Sequence, residues 1–526
     1  MTVSADADTS FDTTTDLDLD LVDRGGRPDA LDIEYQTHWL RESAKQHRLH
    51  MRIAYEVAAD FQLKFMHVTG LGWFRYDKTH WAADDADKGA TNAVMKTIRR
   101  LAADGLTDKD LYSDLVKAQT AAGAKGVLKL AAGLPGVSVS ASELDADPFV
   151  LNTPSGLLDL ESFELRPHDP LDRITKITRG SYDLTAPRER WSTFLEQVLP
   201  DDEVRAYLQR VLGLALVGKQ LEHILVIATG SGRNGKGVTY EALGWAIGDY
   251  THYAPSTLFE RTKGNANAAS PALFDLRGAR FVALSETEKM ARIASALLKS
   301  LTGGDPVTAR GLYEKPITFL ASWLILLVTN HLPTLPADDP AVWERVRVIM
   351  FDVFIQKKDR DPRLASKLQD EADGILTWAV EGLRQYWAGG LAEPEAVTVA
   401  TSGYAAAQDS VKRFIEAVCT ESPSTGGNTT KELHDAYTDW ATAERIFAEH
   451  RLGRTEFGHA LDRLGFPSVK KSRGMVRAGL GLAGNGGVPI SSDPYDRSHE
   501  VSAPDADPPT ASWESSDDPP SAVFVG

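Results

Sequence analysis

HILVIATGSGRNGKG, residues 223–237, joins an apolar run to a glycine-rich loop. The run is rich in Ile, Leu and Val and is typical of a buried strand, and a helix is predicted over residues 238–247. Between a strand and a helix, glycines let backbone N–H groups converge on phosphate oxygens, and the helix N-terminus adds positive potential. The sequence therefore predicts a phosphate-binding loop made of Gly230, Ser231, Gly232, Arg233, Asn234, Gly235, Lys236, Gly237, Val238 and Thr239.

Lys236 is the predicted point charge on the β- and γ-phosphates of a bound nucleotide. The residue after it departs from the usual pattern, because Gly237 stands where a Ser or Thr normally ligates Mg²⁺. That ligand must come from Thr239 or from water, or it is missing. By itself the loop leaves two interpretations open, a nucleotide site and a glycine-rich turn.

Two further predicted strands favour the nucleotide site. RFVALSETE, residues 280–288, ends in Glu286 and Glu288, carboxylates suited to hold Mg²⁺ and to polarise an attacking water. The alternative is a capping pair at the start of a helix. The other strand, residues 324–329, ends in Asn330, an amide placed to sense the γ-phosphate. Glu286 and Thr239 are thus the candidate Mg²⁺ ligands, and Glu286, Glu288 and Asn330 join Lys236 in the candidate catalytic set.

WERVRV, residues 343–348, supplies a candidate finger arginine, Arg345, which would neutralise charge in the transition state of phosphoryl transfer. Arg347 has the same alternation phase and is the second candidate. For Arg345 the alternative is a structural salt bridge.

Together these motifs resemble the superfamily 3 helicases, in the phage and plasmid primase-helicase branch that also includes the poxvirus primase-helicase. The resemblance covers about residues 70–480. It rests on GRNGK (232–236), SETE (285–288), LKSLTGGD (298–305), AR (309–310), TNHLP (329–333) and WERV (343–346), in the family's order and spacing. Gly237 departs from the family pattern, and we expect no counterpart of the N-terminal primase domain found in many longer relatives.

The resemblance implies an α/β P-loop core of the AAA+ type over residues 218–358. Such a core uses ATP and Mg²⁺ to move DNA through a ring, here expected to be a hexamer, in the replication of a phage or mobile element. A separate primase or polymerase is a candidate partner. In the family a hairpin projects into the ring's channel, and residues 307–321 would supply it here. The DNA-binding candidates on it are Arg310, Tyr313 and Lys315, and the alternative for Arg310 is a salt bridge with Asp305 or Glu314.

The flanking regions complete the predicted organisation. Residues 33–217 are interpreted as an α+β helicase-associated domain with a β-hairpin at residues 72–81. Residues 359–421 form a predicted helical region. Residues 429–482 combine helices with a short ribbon, which suggests a winged-helix domain. Its first helix is predicted to begin with a capping box formed by Thr429 and Glu432.

Positive charge is concentrated in this last domain. Between residues 451 and 477 seven Lys or Arg oppose two carboxylates. This asymmetry favours DNA contact, with a solvated basic face as the alternative. The DNA-binding candidates are Arg454, Lys470, Lys471 and Arg473.

The net charge of −17 arises mainly in the two ends of the chain. Residues 1–32 hold nine Asp against two Arg, and residues 488–526 hold eight acidic residues against one Arg. The residues between them carry only −3. Both acidic tails, residues 1–32 and 483–526, are predicted to be disordered, because they contain few large apolar side chains to bury. The nearly neutral body can therefore carry a basic groove.

The composition narrows the functional classes further. A single cysteine, Cys419, excludes an internal disulfide and a cysteine-based zinc module. The longest apolar run, residues 319–328, is too short to span a membrane. We therefore expect no membrane partner and a cytoplasmic location, in a bacterial host if the protein is phage-encoded. A replicative helicase is the leading interpretation. The alternatives are an ATP-binding DNA-loading or regulatory protein without unwinding activity, and a P-loop kinase or phosphotransferase.

Overall fold

The computed structural model describes residues 30–255, 258, 271–285, 293–311, 316–337, 339–421, 427–444, 446, 451–471 and 474–483. The chain divides into two units, Met1–Asp409 and Ser410–Gly526. The predicted acidic tails lie outside the described residues except at their inner ends. Residues 30–32, assigned to the first tail, already belong to the first helix.

The first unit begins with a bundle of helices. Their buried faces form one apolar cluster that includes Ile53, Val57, Val94, Leu115 and Val127. Such a cluster is what amphipathic helices need in order to remove their apolar stripes from water. The helices are α1 (Ala30–Gln46), α2 (Leu49–Phe61), α3 (Lys88–Leu101), α4 (Lys109–Ala118) and α5 (Ala121–Ala131).

Strands between residues 65 and 166 form two small sheets in this part of the first unit. The predicted hairpin at residues 72–81 is confirmed, with Tyr76 paired opposite Trp81. It belongs to a sheet of order β3-β2-β1-β4, made of β1 (Phe65–Val68), β2 (Gly72–Tyr76), β3 (Trp81–Ala83) and β4 (Ser138–Val139). The second sheet is antiparallel and contains β5 (Val150–Thr153), β6 (Gly156–Asp159) and β7 (Leu165–Arg166).

A parallel sheet forms the centre of the first unit and confirms the predicted mixed α/β architecture. Its strands are β8 (Leu225–Thr229), β9 (Thr251–Pro255), β10 (Phe281–Ser285), β13 (Leu324–Thr329) and β14 (Val346–Met350). Their order is β14-β8-β13-β10-β9. Strands buried on both faces are continuous apolar runs, because helices cover each side of a parallel sheet. A separate antiparallel pair, β11 (Pro306–Ala309) and β12 (Ile317–Leu320), lies between β10 and β13 in the chain.

The register of this sheet positions the loops. Thr229 lies opposite Thr329 on one side and Met350 on the other. The chain segments that follow β8, β13 and β14 therefore leave the sheet side by side at its carboxyl edge. β10 is separated from β8 by β13.

Helices pack on the parallel sheet and connect it to the small sheets that precede it in the chain. They are α6 (Glu189–Val198), α7 (Asp202–Leu214), α8 (Lys236–Ile247), α9 (Pro271–Phe274), α10 (Ser295–Leu301), α11 (Pro340–Trp343), α12 (Leu364–Gln369), α13 (Ala372–Gly389) and α14 (Glu395–Gln408). One apolar cluster contains Leu151, Leu212, Val226 and Leu376. This cluster therefore extends across the domain boundaries predicted at 217/218 and 358/359. The helices α7 and α13 connect the regions, since they pack closely where Gly213 faces Leu383 and Gly382 faces Gln209.

The second unit is a small α/β domain. Its elements are α15 (Ser410–Val418), β15 (Cys419–Glu421), α16 (Thr430–Ala443), α17 (Arg454–Arg463), β16 (Ser468–Lys471), β17 (Gly474–Arg477) and β18 (Leu480–Leu482). The predicted capping box is confirmed: Thr429 N donates to Glu432 Oε2 at 2.8 Å, and Glu432 N donates to Thr429 Oγ1 at 3.2 Å. The predicted ribbon is formed by β16 and β17, whereas β18 pairs with β15.

The boundary of this unit differs from the prediction. The sequence placed residues 410–418 in a helical region that ended at residue 421, whereas α15 lies in the core of the second unit. The physical reason is its apolar face: Val411, Phe414 and Ile415 are buried against Tyr437 and Phe457. In the described residues, no helix is both long and apolar enough to cross a membrane.

Candidate nucleotide site

The loop between β8 and α8 depends on backbone conformations that favour glycine. The φ angles are +153° at Gly230, +90° at Gly232 and +87° at Gly235, and Arg233 also has a positive φ of 56°. At Gly235 packing adds a second requirement, since a Cβ there would lie 2.5 Å from Val198 Cγ1. The glycines therefore allow the chain to turn sharply from the strand into the helix N-terminus.

Lys236 is the first residue of α8, and only 6% of its surface is exposed. Its Nζ donates to three neutral oxygens: Gly230 O at 2.9 Å, Asn234 Oδ1 at 3.1 Å and Asn330 Oδ1 at 3.1 Å. Burial lowers the pKa of the Lys236 ammonium to about 8. A partly desolvated cation at the N-terminus of a 12-residue helix provides the electrostatics of an anion site.

Asn234 positions this lysine rather than facing outward from the loop. Its side chain is 2% exposed, and its Nδ2 donates to Phe351 O at 2.7 Å while its Oδ1 accepts from Lys236. Further backbone bonds join the loop to the segment after β14: Phe351 N donates to Thr229 O at 2.8 Å, and Ile355 N donates to Arg233 O at 3.0 Å. Sequence reasoning missed this segment, because backbone groups supply its contribution and they leave no residue signature.

Asn330 lies on the loop after β13, the strand next to β8. The structure brings it together with Lys236, and its side chain also lies beside the glycine loop, 3.7 Å from the position of a Cβ at Gly232. The residue is exposed, so its amide remains accessible to a ligand in the loop. The arrangement can therefore bind a phosphate group between a helix N-terminus, an ammonium and an amide.

Of the two predicted Mg²⁺ ligands, Thr239 alone lies in the described residues. It is 3% exposed, and its Oγ1 donates to Gly235 O at 3.0 Å. Residues 237 and 239 are about 200° apart around the helix axis, so Thr239 does not occupy the position of the usual hydroxyl, and its role as a metal ligand stays a prediction. Glu286 and Glu288 lie outside the described residues. Within the described ranges, no cluster of three or more His, Cys, Asp or Glu is arranged to hold a metal.

There is room for a side chain at position 237. The nearest atom to a Cβ built there is Glu241 Oε1, at 4.0 Å. A serine would therefore fit at the site where the usual hydroxyl is missing.

Arg345 lies at the opposite edge of the sheet. Its backbone carbonyl accepts from Leu225 N at 2.8 Å, at the amino end of β8. The five residues of β8 separate it from the glycine loop by about 17 Å at ~3.3 Å per residue. Its Nη1 donates to Ala341 O at 2.7 Å, and its buried Nε has no hydrogen-bond partner. The side chain therefore does not reach the Lys236 of its own chain.

Arg347, the second finger candidate, is engaged in an ion pair. Its Nε donates to Glu393 Oε2 at 2.5 Å, and its Nη1 donates to the carbonyls of Glu344 and Val346. Arg347 thus has the structural role that the sequence considered as the alternative for Arg345.

The predicted DNA-binding residues fall into two groups. β11 and β12 pair as an antiparallel hairpin in which Thr308 lies opposite Thr318, and Arg310 directly follows β11. Tyr313, Lys315 and Arg473 lie outside the described residues. In the second unit Arg454 begins α17, while Lys470 and Lys471 lie on β16.

Comparison with known proteins identifies the region before the sheet. Residues 51–200 match the family model described as "D5 N terminal like". This match runs from α2 through both small sheets to α6.

Viral proteins are similar to a larger part of the chain. "Putative helicase L207/L206" of Acanthamoeba polyphaga mimivirus is 31% identical over 293 residues, covering 52% of this chain and 30% of that protein. "Putative helicase 121R" of Invertebrate iridescent virus 3 is 28% identical, covering 43% and 25%. "Putative primase C962R" of African swine fever virus (isolate Tick/Malawi/Lil 20-1/1983) is 24% identical, covering 60% and 35%.

These matches confirm the resemblance to the D5-like primase-helicases of large DNA viruses. The chain spans between a quarter and about a third of the length of these relatives. Among solved structures, "The apo structure of NrS-1 C terminal region (305-718)" matches 57% of this chain and 76% of its own, with 12% identity and a TM-score of 0.32. That score is below the level at which two folds count as alike.

Proposed function

We propose that this chain, which contains a D5 N-terminal-like region and is similar to viral proteins named as helicases and primases, is an ATP-driven DNA helicase. We further propose that it acts as a ring, of hexameric form, in the replication of a phage or mobile element. The observation that carries the proposal is the meeting of Lys236 and Asn330 on adjacent loops at the carboxyl edge of the parallel sheet, with 3.1 Å between Nζ and Oδ1.

The loop residues fit a nucleotide triphosphate. Backbone N–H groups of residues 232–237 and the α8 N-terminus would hold the phosphates, and Lys236 Nζ would exchange its neutral oxygen partners for phosphate oxygens. When bound, ATP supplies the phosphoryl group whose transfer to water releases the energy for movement. Asn330 remains beside Lys236 to register whether the γ-phosphate is present.

Among the described residues, fewer groups are placed to hold Mg²⁺ than to hold the phosphates. Gly237 has no hydroxyl, and the hydroxyl of Thr239 is engaged with Gly235 O. Glu286, which follows β10, is the remaining protein candidate from the sequence, and water would complete the coordination.

The location of Arg345 supports the ring. About 17 Å of strand β8 separates it from its own glycine loop, so an arginine finger at this position has to serve another subunit. A finger acting across subunits makes hydrolysis depend on assembly.

Two regions support DNA as the partner. The β11–β12 hairpin with Arg310 corresponds to the segment expected to face the channel. The second unit has the order helix, strand, two helices and a β-ribbon, which is typical of winged-helix domains, and it presents Arg454, Lys470 and Lys471. Cations that contact phosphates rather than bases supply DNA affinity that does not depend on the base sequence, as a motor that moves along any DNA requires.

The deciding experiment measures ATP hydrolysis with and without single-stranded DNA. We expect hydrolysis that DNA stimulates, and loss of most hydrolysis in Lys236→Ala with folding retained. Lys219→Ala, which removes an exposed lysine, is the matched control. Phosphorylation of an added acceptor without DNA stimulation would instead identify a kinase or phosphotransferase.

One observation favours a second function. With no hydroxyl at Gly237 and with Thr239 engaged, metal binding depends on groups other than the usual one. An ATP-binding DNA-loading or regulatory protein would tolerate this arrangement, because it needs the bound nucleotide more than rapid turnover. Separation of a forked duplex by the ATP-supplied wild-type protein distinguishes the helicase from the loader.

A further inference from the structure

A cavity of about 440 Å³ opens on the second unit, between the first turns of α16 and α17 and the strand β17. Four basic side chains line it, Lys431, Arg454, His459 and Arg477, together with the carboxylate of Asp462 and with Thr430, Thr455 and Met475. Lys431 and His459 were not among the residues that the sequence singled out. The basic residues at positions 451–477 of this unit form a basic strip, and the cavity adds to it a recess in which several hydrogen-bond donors converge.

Two of the basic side chains at this cavity, Lys431 and Arg454, lack counter-ions among the described residues. Within the described part of the unit, Lys431 and Arg454 have no ion pair or side-chain hydrogen bond, whereas Arg413 is paired with Glu444 at 2.8 Å and Arg477 is paired with Asp462. The carboxylates nearby are already engaged. Asp462 binds Arg477, and Glu456 Oε2 accepts from Gly453 N at 3.2 Å as a helix cap.

A buried arginine forms the floor of the cavity. Arg477 is 5% exposed, its Nε donates to Thr430 Oγ1 at 2.9 Å, and its Nη1 donates to Phe466 O at 3.1 Å. Gly458 permits this arrangement, since a Cβ there would lie 2.9 Å from Arg477 Nη2. The first turns of α16 and α17 are therefore held facing one recess, where the cap carboxylates Glu432 and Glu456 offset the positive potential of the two helix N-termini and the side-chain cations supply the positive charge.

We propose that this cavity binds backbone phosphates of single-stranded DNA. A polymer is favoured over a mononucleotide because the basic strip continues beyond the cavity: Lys470 lies opposite Met475 in the ribbon, and Lys471 lies opposite Gly474. Met475 is 53% exposed at the rim and offers an apolar surface to a sugar or base. Phosphate contacts from cations along the strand, beside a surface for the bases, are the usual elements of single-strand binding.

This inference deepens the DNA-binding part of the proposed function, and it is tested on the full chain without nucleotide. Binding of a labelled oligothymidylate is measured by fluorescence anisotropy over a series of salt concentrations. The double variant Lys431→Ala with Arg454→Ala should bind more weakly, and the slope of log affinity against log salt should decrease by about 0.7 for each phosphate that the protein no longer neutralises. Lys431→Arg should retain binding, and Lys412→Ala, which removes an exposed lysine from α15, should bind as the parent does.

An unchanged affinity and salt slope in the double variant would overturn the inference. Displacement of the oligonucleotide by inorganic phosphate or ATP at equal phosphate concentration, tested in the Lys236→Ala protein, would also overturn it and identify a pocket for a small anion. A failure of the proposed ATPase function would give a different result. ATP hydrolysis would be absent or independent of Lys236, while salt-dependent DNA binding through Lys431 and Arg454 would persist.

Discussion

Lys236 Nζ and Asn330 Oδ1 lie 3.1 Å apart, although 94 residues separate the two in the chain. The bond forms because β8 and β13 are parallel neighbours whose following loops leave the same edge of the sheet. Among the described residues, the hydrogen-bond acceptors of the lysine ammonium are three neutral oxygens, and the side chain is largely removed from water. Its charge state therefore controls how strongly the loop attracts an anion.

ATP affinity should decrease as the pH rises through about 8. Burial lowers the pKa of Lys236 to about 8, so the free protein loses the ammonium above that pH, and binding of a polyanion must restore the proton. We expect affinity to weaken by about tenfold per pH unit above this value. Calorimetry between pH 7 and 9.5 should also detect proton uptake in buffers of different ionisation enthalpy.

Asn234→Asp is the companion variant for this pH dependence. It places a carboxylate where Oδ1 now accepts from Lys236 at 3.1 Å, which favours the charged lysine. Affinity should be weaker overall because the carboxylate repels phosphate, but its decline should move to higher pH. A flat profile in the parent protein would mean that Lys236 does not pair with the phosphates.

Gly237→Ser should fold normally and should reach half-maximal ATPase activity at the same or a lower Mg²⁺ concentration. Apart from its chain neighbours and the backbone of α8, the nearest atom to the added Cβ is Glu241 Oε1 at 4.0 Å, and we expect the new hydroxyl to supply the missing metal ligand. Gly235→Ser is the control, because its φ of +87° and its 2.5 Å approach to Val198 both oppose a side chain. We expect that control to lose about 1–3 kcal/mol of stability in thermal unfolding. Loss of activity in Gly237→Ser with an unchanged melting temperature would show that the loop itself requires glycine.

Arg345→Ala and Lys236→Ala should each be inactive alone, and a mixture of the two should recover part of the ATPase activity. Arg345 lies at the amino edge of the sheet and the glycine loop at the carboxyl edge, so in the proposed ring each ATP site would combine the loop of one subunit with Arg345 of another. A finger arginine contributes about 10³–10⁵ in rate in well-studied cases, which makes even partial recovery measurable. Rings shown to contain both variants, yet without activity, would assign Arg345 to the scaffold.

Arg310→Ala combined with Lys315→Ala should weaken single-stranded DNA binding and reduce its salt dependence, while ATP hydrolysis without DNA changes little. Arg310 follows β11 at the end of the hairpin where the chain connects to β12, next to the Ala309–Ile317 pair. The salt slope should decrease by about 0.7 for each phosphate left without its cation. Thr318→Ala, on the adjacent strand β12, removes no charge and should preserve DNA binding. An unaltered slope in the double variant would exclude this hairpin from the DNA path.

Local sequence patterns determined the individual elements. The apolar run before Gly230 forms β8, the runs before Ser285 and Asn330 form β10 and β13, and Thr429 caps α16. Each of these features is set by residues a few positions apart, through strand burial, helix capping or backbone freedom at glycine. The sequence alone therefore sufficed to predict a strand, a glycine loop and a helix around Lys236.

Only the tertiary structure decided which of these elements meet. Strand order places Asn330 beside Lys236 and inserts β13 between β8 and the strand that precedes Glu286. The same sheet separates Arg345 from its own glycine loop, and the first turn of α8 holds the Thr239 hydroxyl against Gly235 O. The physical reason is that strand neighbours and helix orientation follow from burying distant apolar faces together, and no short stretch of sequence specifies that long-range packing.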